Sequence, residues 1–303
     1  MYSMADSDSS DKRSAIKRIY EDKYKLLMLI PFLILALAVI QIGVQISTTG
    51  DFMVKGVSLK GGVSMSVPDI SVDPVDMESF LSSKFPEADF SVRRLPQSGG
   101  VVIDADIEDE SALVSAVSER LGGLSKEQYT VEVFGSSLGS SFFDQTFRAI
   151  ILAFLFMGTV VFIRFRSLGP SMGVILAAFS DIVVTLAVVN VMGMKLSTAG
   201  IAAFLMLIGY SVDTDILLST RVLMSKHGSV MDRVYSSMKT GMMMTVTTMV
   251  AVTVGILVSR SETITQIMTI LLIGLFVDII MTYVQNVGIL RLFLERKHAK
   301  TDH

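Results

Sequence analysis

No cysteine occurs in the 303 residues, which excludes a disulfide framework, a thiolate nucleophile and a zinc-thiolate site. Histidine is nearly absent too. The three present, His227, His298 and His303, fall in loop and tail positions, so no metal or other bound cofactor is expected. Charged residues make up only 18% of the chain, against about 25% in ordinary soluble domains, which argues against a single soluble domain. Hydrophobic residues reach 51%, and they are segmented. Six stretches of roughly 18 or more residues, nearly free of charge, are each long enough to cross about 30 Å of hydrocarbon as a helix. The chain therefore reads as a polytopic α-helical membrane protein. Its net charge of −3 carries little information, because orientation depends on where Lys and Arg lie.

Residues 1–25 form a polar tail with Lys12, Arg13, Lys17, Arg18, Lys23 and Lys25, and residues 26–46 carry no charge. This first span is too long for the apolar core of a signal peptide and lacks a small-residue cleavage pattern, so it reads as a retained anchor with Pro31 in its first turns. A polar region, 47–143, follows. Further spans are expected near 146–163, 170–191, 196–220, 240–259 and 263–290, all within 144–290, and a tail, 291–303, closes the chain. Sixteen of the 26 Lys and Arg fall in the two tails and in the loops after the second and fourth spans, whereas the short opposite loops hold only Lys195 and Arg260. The positive-inside rule then predicts cytoplasmic termini and an extracytoplasmic 47–143 region in a cell membrane.

Within that region, strands are expected at 62–67, 90–95, 101–107 and 129–134. Helices are expected at 74–84, opened by Asp73, and at 109–121. The order β-α-β-β-α-β is that of the ferredoxin-like split βαβ unit, a small α+β domain between helices 1 and 2. Fifteen Asp and Glu against seven Lys and Arg between 47 and 143 disfavour nucleic acid and anionic lipid as partners of this domain.

The acids inside the apolar spans are the most informative residues: Asp181 in the third, Asp213 and Asp215 in the fourth, Asp278 in the sixth. An Asp at mid-span costs roughly 2.5–3.5 kcal/mol on insertion scales, so such residues face a bundle interior or wet cavity and mark ion or proton paths. On a helix, positions 213 and 215 are about 200° apart, so only one can point straight at a shared cavity. Asp213 is the expected one, with Gly209 a turn earlier leaving room for close helix approach or water. The structural alternative is that each acid merely hydrogen-bonds a neighbouring helix. Thr245, Thr247, Thr248 and Thr253 of the fifth span could relay a proton or act as packing glue. Lys239 and Arg260, at span ends, are explained by snorkelling. Enzyme signatures are missing: there is no phosphate loop with a Lys, no His-Glu-x-x-His and no Gly-x-Ser-x-Gly. Nor does Gly209-Tyr210-Ser211-Val212-Asp213 supply the Gly-x-Gly-Asp of intramembrane aspartyl proteases. No enzymatic activity is expected.

Several segments resemble the protein-export membrane proteins of the SecD/SecF family, in its SecF branch. Leu207 to Leu218, containing Gly209, Tyr210, Ser211 and Asp213 and followed by Arg221, is similar to that family's fourth-helix signature. Ile163-Arg164-Phe165-Arg166 looks like its Ile-Arg-Phe run, Ser180-Asp181 stands where a His-Asp pair is usual, and Gly56 to Gly62, ending in Gly61-Gly62, resembles the Gly-x-Asp-Phe-x-Gly-Gly element. Val212-Asp213-Thr214-Asp215 leans toward the sister subunit SecD, a mixture that an archaeal-type SecF accommodates. The resemblance implies half of a resistance-nodulation-division (RND) transporter, paired with a SecD-like subunit beside the SecYE-type channel and assisting a translocating polypeptide. H⁺ or Na⁺ would be the coupling ion, with Asp213 relayed through Asp278 or Asp215 and supported by Asp181. The remaining readings are a SecD-like sister subunit, a passive Sec-complex scaffold and a half-size RND exporter.

Overall fold

The computed structural model describes residues 20, 22–70, 72–95, 99–107, 109–225, 228–259 and 261–301. Most of the basic N-terminal tail, Lys226 and Arg260 lie outside the described residues. Among the described residues, six helices are long and apolar enough to cross a membrane, and the chain is a multi-pass membrane protein.

The first of them, α1 (Tyr24–Thr49), tolerates Pro31 inside it and stops at Gly50, whose left-handed φ of 77° lets its N–H return to the carbonyl of Ile46. A one-turn helix α2 (Val57–Lys60) leads into the polar region, where β1 (Gly62–Val67), α3 (Pro74–Lys84), β2 (Phe90–Arg94), β3 (Val101–Ala105), α4 (Glu110–Leu121) and β4 (Thr130–Phe134) follow in the expected order. Both helices open on the side chain of an Asp. Asp73 accepts from Val75 N–H, and Asp109 accepts from Ser111 and Ala112 N–H. The strands form one antiparallel sheet in the order β2-β3-β1-β4.

Alternation along the strands sends Val63, Met65, Val92 and Ile103 to one face, where Met77 and Leu81 of α3 and Leu113 and Val117 of α4 cover them as a dry core. The other face is polar and carries Ser64, Arg93 and Asp104. Gly62 is required where it stands: its φ is 128°, and a Cβ there would come within 2.3 Å of the Ala105 carbonyl oxygen on the neighbouring strand.

The remaining spans are α5 (Ser136–Phe165), α6 (Leu168–Val191), α7 (Thr198–Met224), α8 (Val230–Val258) and α9 (Glu262–Ile280). A π-helical segment (Met281–Asn286) continues α9 into α10 (Val287–Thr301). Three boundaries depart most from the sequence expectation, one of them the start of α8 at Val230 rather than near 240. Helical hydrogen bonding in α5 starts at Ser136, before the apolar run, and the last helix passes residue 290 into the basic tail without a break. Apolar length limits how much of a helix can lie in hydrocarbon, but not how far helix propensity carries it into water. Burial separates the spans into inner and outer ones: 56% of the most apolar stretch of α6 and of α7 is buried, against 11% for α1 and α5 and 17% for α8.

Polar contacts dock the sheet domain on the bundle. Val54 and Gly56 exchange backbone bonds with Leu196 at 2.7 and 2.8 Å. Gln266, one turn into α9, donates to the Lys195 carbonyl at 2.7 Å and accepts from Ser197. Arg93 on β2 bridges Asp104 on β3 and Glu262, the first residue of α9.

Candidate functional site

Asp181 on α6, Asp215 on α7 and Asp278 on α9 meet in the interior of the bundle, each with no exposed surface. Ser211 Oγ donates to Asp181. Asn286 Nδ2 donates to Asp215 Oδ1 at 2.8 Å. Thr282 Oγ1 lies 3.0 Å from Asp215 Oδ1 and 3.1 Å from Asp278 Oδ1, bridging the two carboxyls. Thr214 Oγ1 donates to its own Ser211 carbonyl at 2.8 Å and also sits 3.3 Å from both oxygens of Asp278. Among the described residues, none of these acids has a Lys or Arg partner. Asp181 Oδ1 and Asp215 Oδ2 are buried without any hydrogen-bond partner, as are Asn286 Oδ1, Gln285 Oε1 and Thr185 Oγ1 around them.

The hydrogen bonds can be counted. Thr214 has one hydroxyl proton, held by a carbonyl in the shorter contact, and Thr282 has one proton for two carboxyl oxygens. The two threonine hydroxyls therefore cannot satisfy every carboxyl oxygen that faces them. This arrangement, oxygen-rich, buried and without a basic partner among the described residues, holds carboxyls of the kind that take up and give back a proton.

Asp213 is not part of it. The 200° separation of Asp213 and Asp215 holds, but the faces are exchanged relative to expectation: Asp215 is fully buried and Asp213 is exposed. The physical reason is the packed stripe of α7, which runs Leu207, Ser211, Thr214, Asp215, Leu218 and Val222 and puts Asp213 on the opposite side. Gly209 shares that outward side, with no atom within 4 Å of where a Cβ would stand, so it brings no helix close within this chain.

Residues that sequence reasoning passed over complete the site. Thr282 and Asn286 follow Asp278 at intervals of four, a polar stripe legible in the sequence at helical spacing. Their present placement depends on the π segment, whose wider turn brings Thr282, Gln285 and Asn286 onto the buried side together. Gln285 Nε2 donates to Ser180 Oγ at 3.1 Å, and the Tyr283 carbonyl accepts from Tyr20 Oη at 2.5 Å. The threonines of α8 turn inward on their own helix: Thr245, Thr247 and Thr248 donate to carbonyls one turn back at 3.0, 2.7 and 3.0 Å.

The family described as "Protein export membrane protein SecD/SecF, C-terminal" matches residues 114–296. The protein-export membrane protein SecF of Pyrococcus furiosus is 35% identical over 292 residues, 95% of this chain and 97% of the relative. SecF of Methanocaldococcus jannaschii is 34% identical over 91% of this chain and 98% of its own length. The chain belongs to the SecF family of protein-export membrane proteins. Its fold matches the crystal structure of SecDF from Thermus thermophilus with a TM-score of 0.72 at 18% identity, covering 92% of this chain and 38% of that longer one. This SecF-type chain thus spans well under half the length of the SecDF polypeptide it resembles.

The other residues singled out in the sequence make the following contacts. Gly61 ends α2 with φ 99° and Gly62 lets β1 approach β3. Arg164 donates to Met224 Sδ at 2.8 Å, and Phe165 packs between α5 and its neighbours. Tyr210 packs toward α8 and α9. Arg221 donates to the Ser236 carbonyl at 2.8 Å, tying α7 to α8. Ser58 accepts from Thr198 N–H at 3.2 Å, pinning the segment before β1 to the start of α7.

Proposed function

We propose that the chain is the SecF-type half of a two-part export machine, in which the Asp181, Asp215 and Asp278 cluster takes up ions from the transmembrane gradient and so assists Sec-dependent polypeptide translocation. The single observation that carries this reading is the meeting of three fully buried carboxyls, without a basic partner, at the centre of a membrane bundle. Each costs free energy that packing alone does not require. The coupling ion is H⁺ or Na⁺. Both termini face the cytoplasm, and the sheet domain, ferredoxin-like in its strand order, stands outside, where it acts on the translocating chain next to a SecYE-type channel.

Magnitudes fit several charges per cycle. One charge crossing 100 mV gains about 2.3 kcal/mol, short of the roughly 5.5 kcal/mol that moves an equilibrium from 1:99 to 99:1. Three carboxyls together reach about 7 kcal/mol on the same scale.

Asp213 supports the second half of the proposal. A carboxylate on an exposed flank of a membrane helix, beside the open Gly209, is costly against lipid and fits a partner surface. A SecD-like subunit is the partner we assign to it, bringing Asp213 into the relay at the junction of the two halves.

The test is export by inverted membrane vesicles with and without an imposed gradient, together with co-purification of the partner. Asp215→Asn and Asp278→Asn should abolish gradient stimulation and leave assembly intact, whereas Asp213→Asn should weaken both. Full gradient stimulation in the Asp215→Asn, Asp278→Asn double variant would remove the cluster from the mechanism. Loss of assembly in that double variant, with basal export equally reduced, would favour a passive scaffold.

A further inference from the structure

The helix that carries Asp278 changes its hydrogen-bonding pattern three residues later, at the π segment. In an unbroken α-helix the Tyr283 carbonyl would receive the N–H of Val287, but that N–H is directed to the carbonyls of Thr282 and Val284. The phenol of Tyr20, ahead of α1 and 263 residues away in the chain, donates to the Tyr283 carbonyl instead, at 2.5 Å. We propose that Tyr20 is a positioning residue for the acid cluster: its hydroxyl keeps the π turn open, and the open turn holds Asn286 on Asp215, a role that rests on the cluster being the ion-handling site.

Both ends of this linkage are fixed by their surroundings. Arg291 Nη1 on α10 donates to the backbone carbonyl of Tyr20 at 3.2 Å. The Tyr20 ring lies 6.1 Å from that of Tyr235 on α8 and packs against the apolar cluster that joins Leu218 of α7, Val234 of α8 and Leu290 of α10. At the other end, α6 and α8 are shaped round the turn as it stands. At Gly173 of α6 a Cβ would come within 3.0 Å of Asn286 Oδ1, and at Gly241 of α8 one would come within 1.9 Å of Tyr283 Oη.

Each residue advances an α-helix by about 100°. A π turn holds one residue more than an α turn, so closing it changes the angle between Asp278 and Asn286 by about 100°, and the two no longer face Asp215 together. What Asn286 supplies there is direction. Its amide and the Thr282 hydroxyl both meet Oδ1 of Asp215, at 2.8 and 3.0 Å, and Oδ2 is left buried without a hydrogen-bond partner. Tyr20 thereby sets, from outside the cluster, which carboxyl oxygen stays open. Without its hydroxyl, the Tyr283 carbonyl either goes without that donor or takes back the Val287 N–H and closes the turn.

Only two asparagines occur in the chain, Asn190 and Asn286, so full-length protein carrying ¹⁵N in its asparagine side chains gives two carboxamide resonances. Asn190, which donates to the Phe52 carbonyl at 2.9 Å, reports on the fold, and Asn286 reports on the turn. Asp215→Ala identifies the Asn286 resonance and shows where it goes once its acceptor is lost. Tyr20→Phe keeps the ring and removes the donor, and it should carry the Asn286 resonance toward that reference position while leaving Asn190 in place. An Asn286 resonance unmoved by Tyr20→Phe overturns the inference. So does a shift of both resonances together, which marks a loosened bundle rather than a released turn. Gradient-stimulated export should fall about tenfold in Tyr20→Phe, as for the loss of one buried hydrogen bond, and adding Tyr20→Phe to Asn286→Ala should cost nothing more. A merely structural tyrosine would lower export by the same factor in both backgrounds, which again overturns the inference. A displaced Asn286 resonance with undiminished export upholds the positioning and removes the cluster, not Tyr20, from the account.

Discussion

In the sheet domain, the buried carboxylate of Asp104 is met by Ser64 Oγ at 2.7 Å and by the guanidinium of Arg93. In the bundle, Asp181, Asp215 and Asp278 are met by hydroxyls and one amide, with two carboxyl oxygens left over. Both regions bury acids, but only the first compensates them. A paired buried charge is a feature of architecture, because removing one partner strands the other. An uncompensated set in a helix bundle stays only if its incompleteness is used, and that contrast directs attention to the bundle rather than to the domain.

The contrast can be broken most sharply at the cluster. Replacing both Asp215 and Asp278 by Asn is expected to eliminate gradient-driven export while leaving detergent stability within about 1 kcal/mol or raising it, since the change removes carboxyls rather than packing; thermal unfolding of the purified variant checks the second half. In the domain the order of effects inverts. Leu81→Ala, in the dry core under the sheet, should cost about 2–5 kcal/mol of domain stability, seen as proteolysis of residues within 62–134 while the bundle stays intact. Asp104→Ala should cost about 1–3 kcal/mol, because it leaves Ser64 and Arg93 without their buried acceptor, and the loss should exceed that of any single Asp in the cluster.

The smallest effect belongs to the α4 cap. The hydroxyl of Ser111, then the N–H of Ala112, hold the Asp109 carboxyl below its ordinary 3.8. A lowered folded-state value means that the cap's contribution is fully present above the unfolded value and fades as pH falls through the folded one. Domain melting followed downward from pH 5 should show a slightly steeper loss in the parent than in Asp109→Ala, and equal slopes would remove the cap from the account.

Much of the architecture was legible because two strong signals coincide: charge-free runs mark the spans, and Asp caps with alternating strands mark the α+β order. Which way a membrane helix faces is harder. In water, an amphipathic stripe identifies the buried side, but on α7 the lipid side and the packed side are both apolar. The separation of Asp213 and Asp215 could be computed and their assignment to faces could not. It follows from Ser211, Thr214 and Leu218, whose packing belongs to tertiary structure. The π segment was illegible for a related reason. Met281 to Asn286 contains neither Pro nor Gly, and nothing in its sequence marks the widened turn that carries Thr282, Gln285 and Asn286 to the buried side.

The outward-facing Asp213 also has a consequence for how the cell makes this protein. Synthesised alone, the subunit displays a carboxyl on an otherwise greasy flank, a surface that lipid solvates badly and that membrane quality control can read. A partner of the kind proposed, by covering that one position, would convert an orphan into a finished product, so the supply of one half would set how much of the other survives.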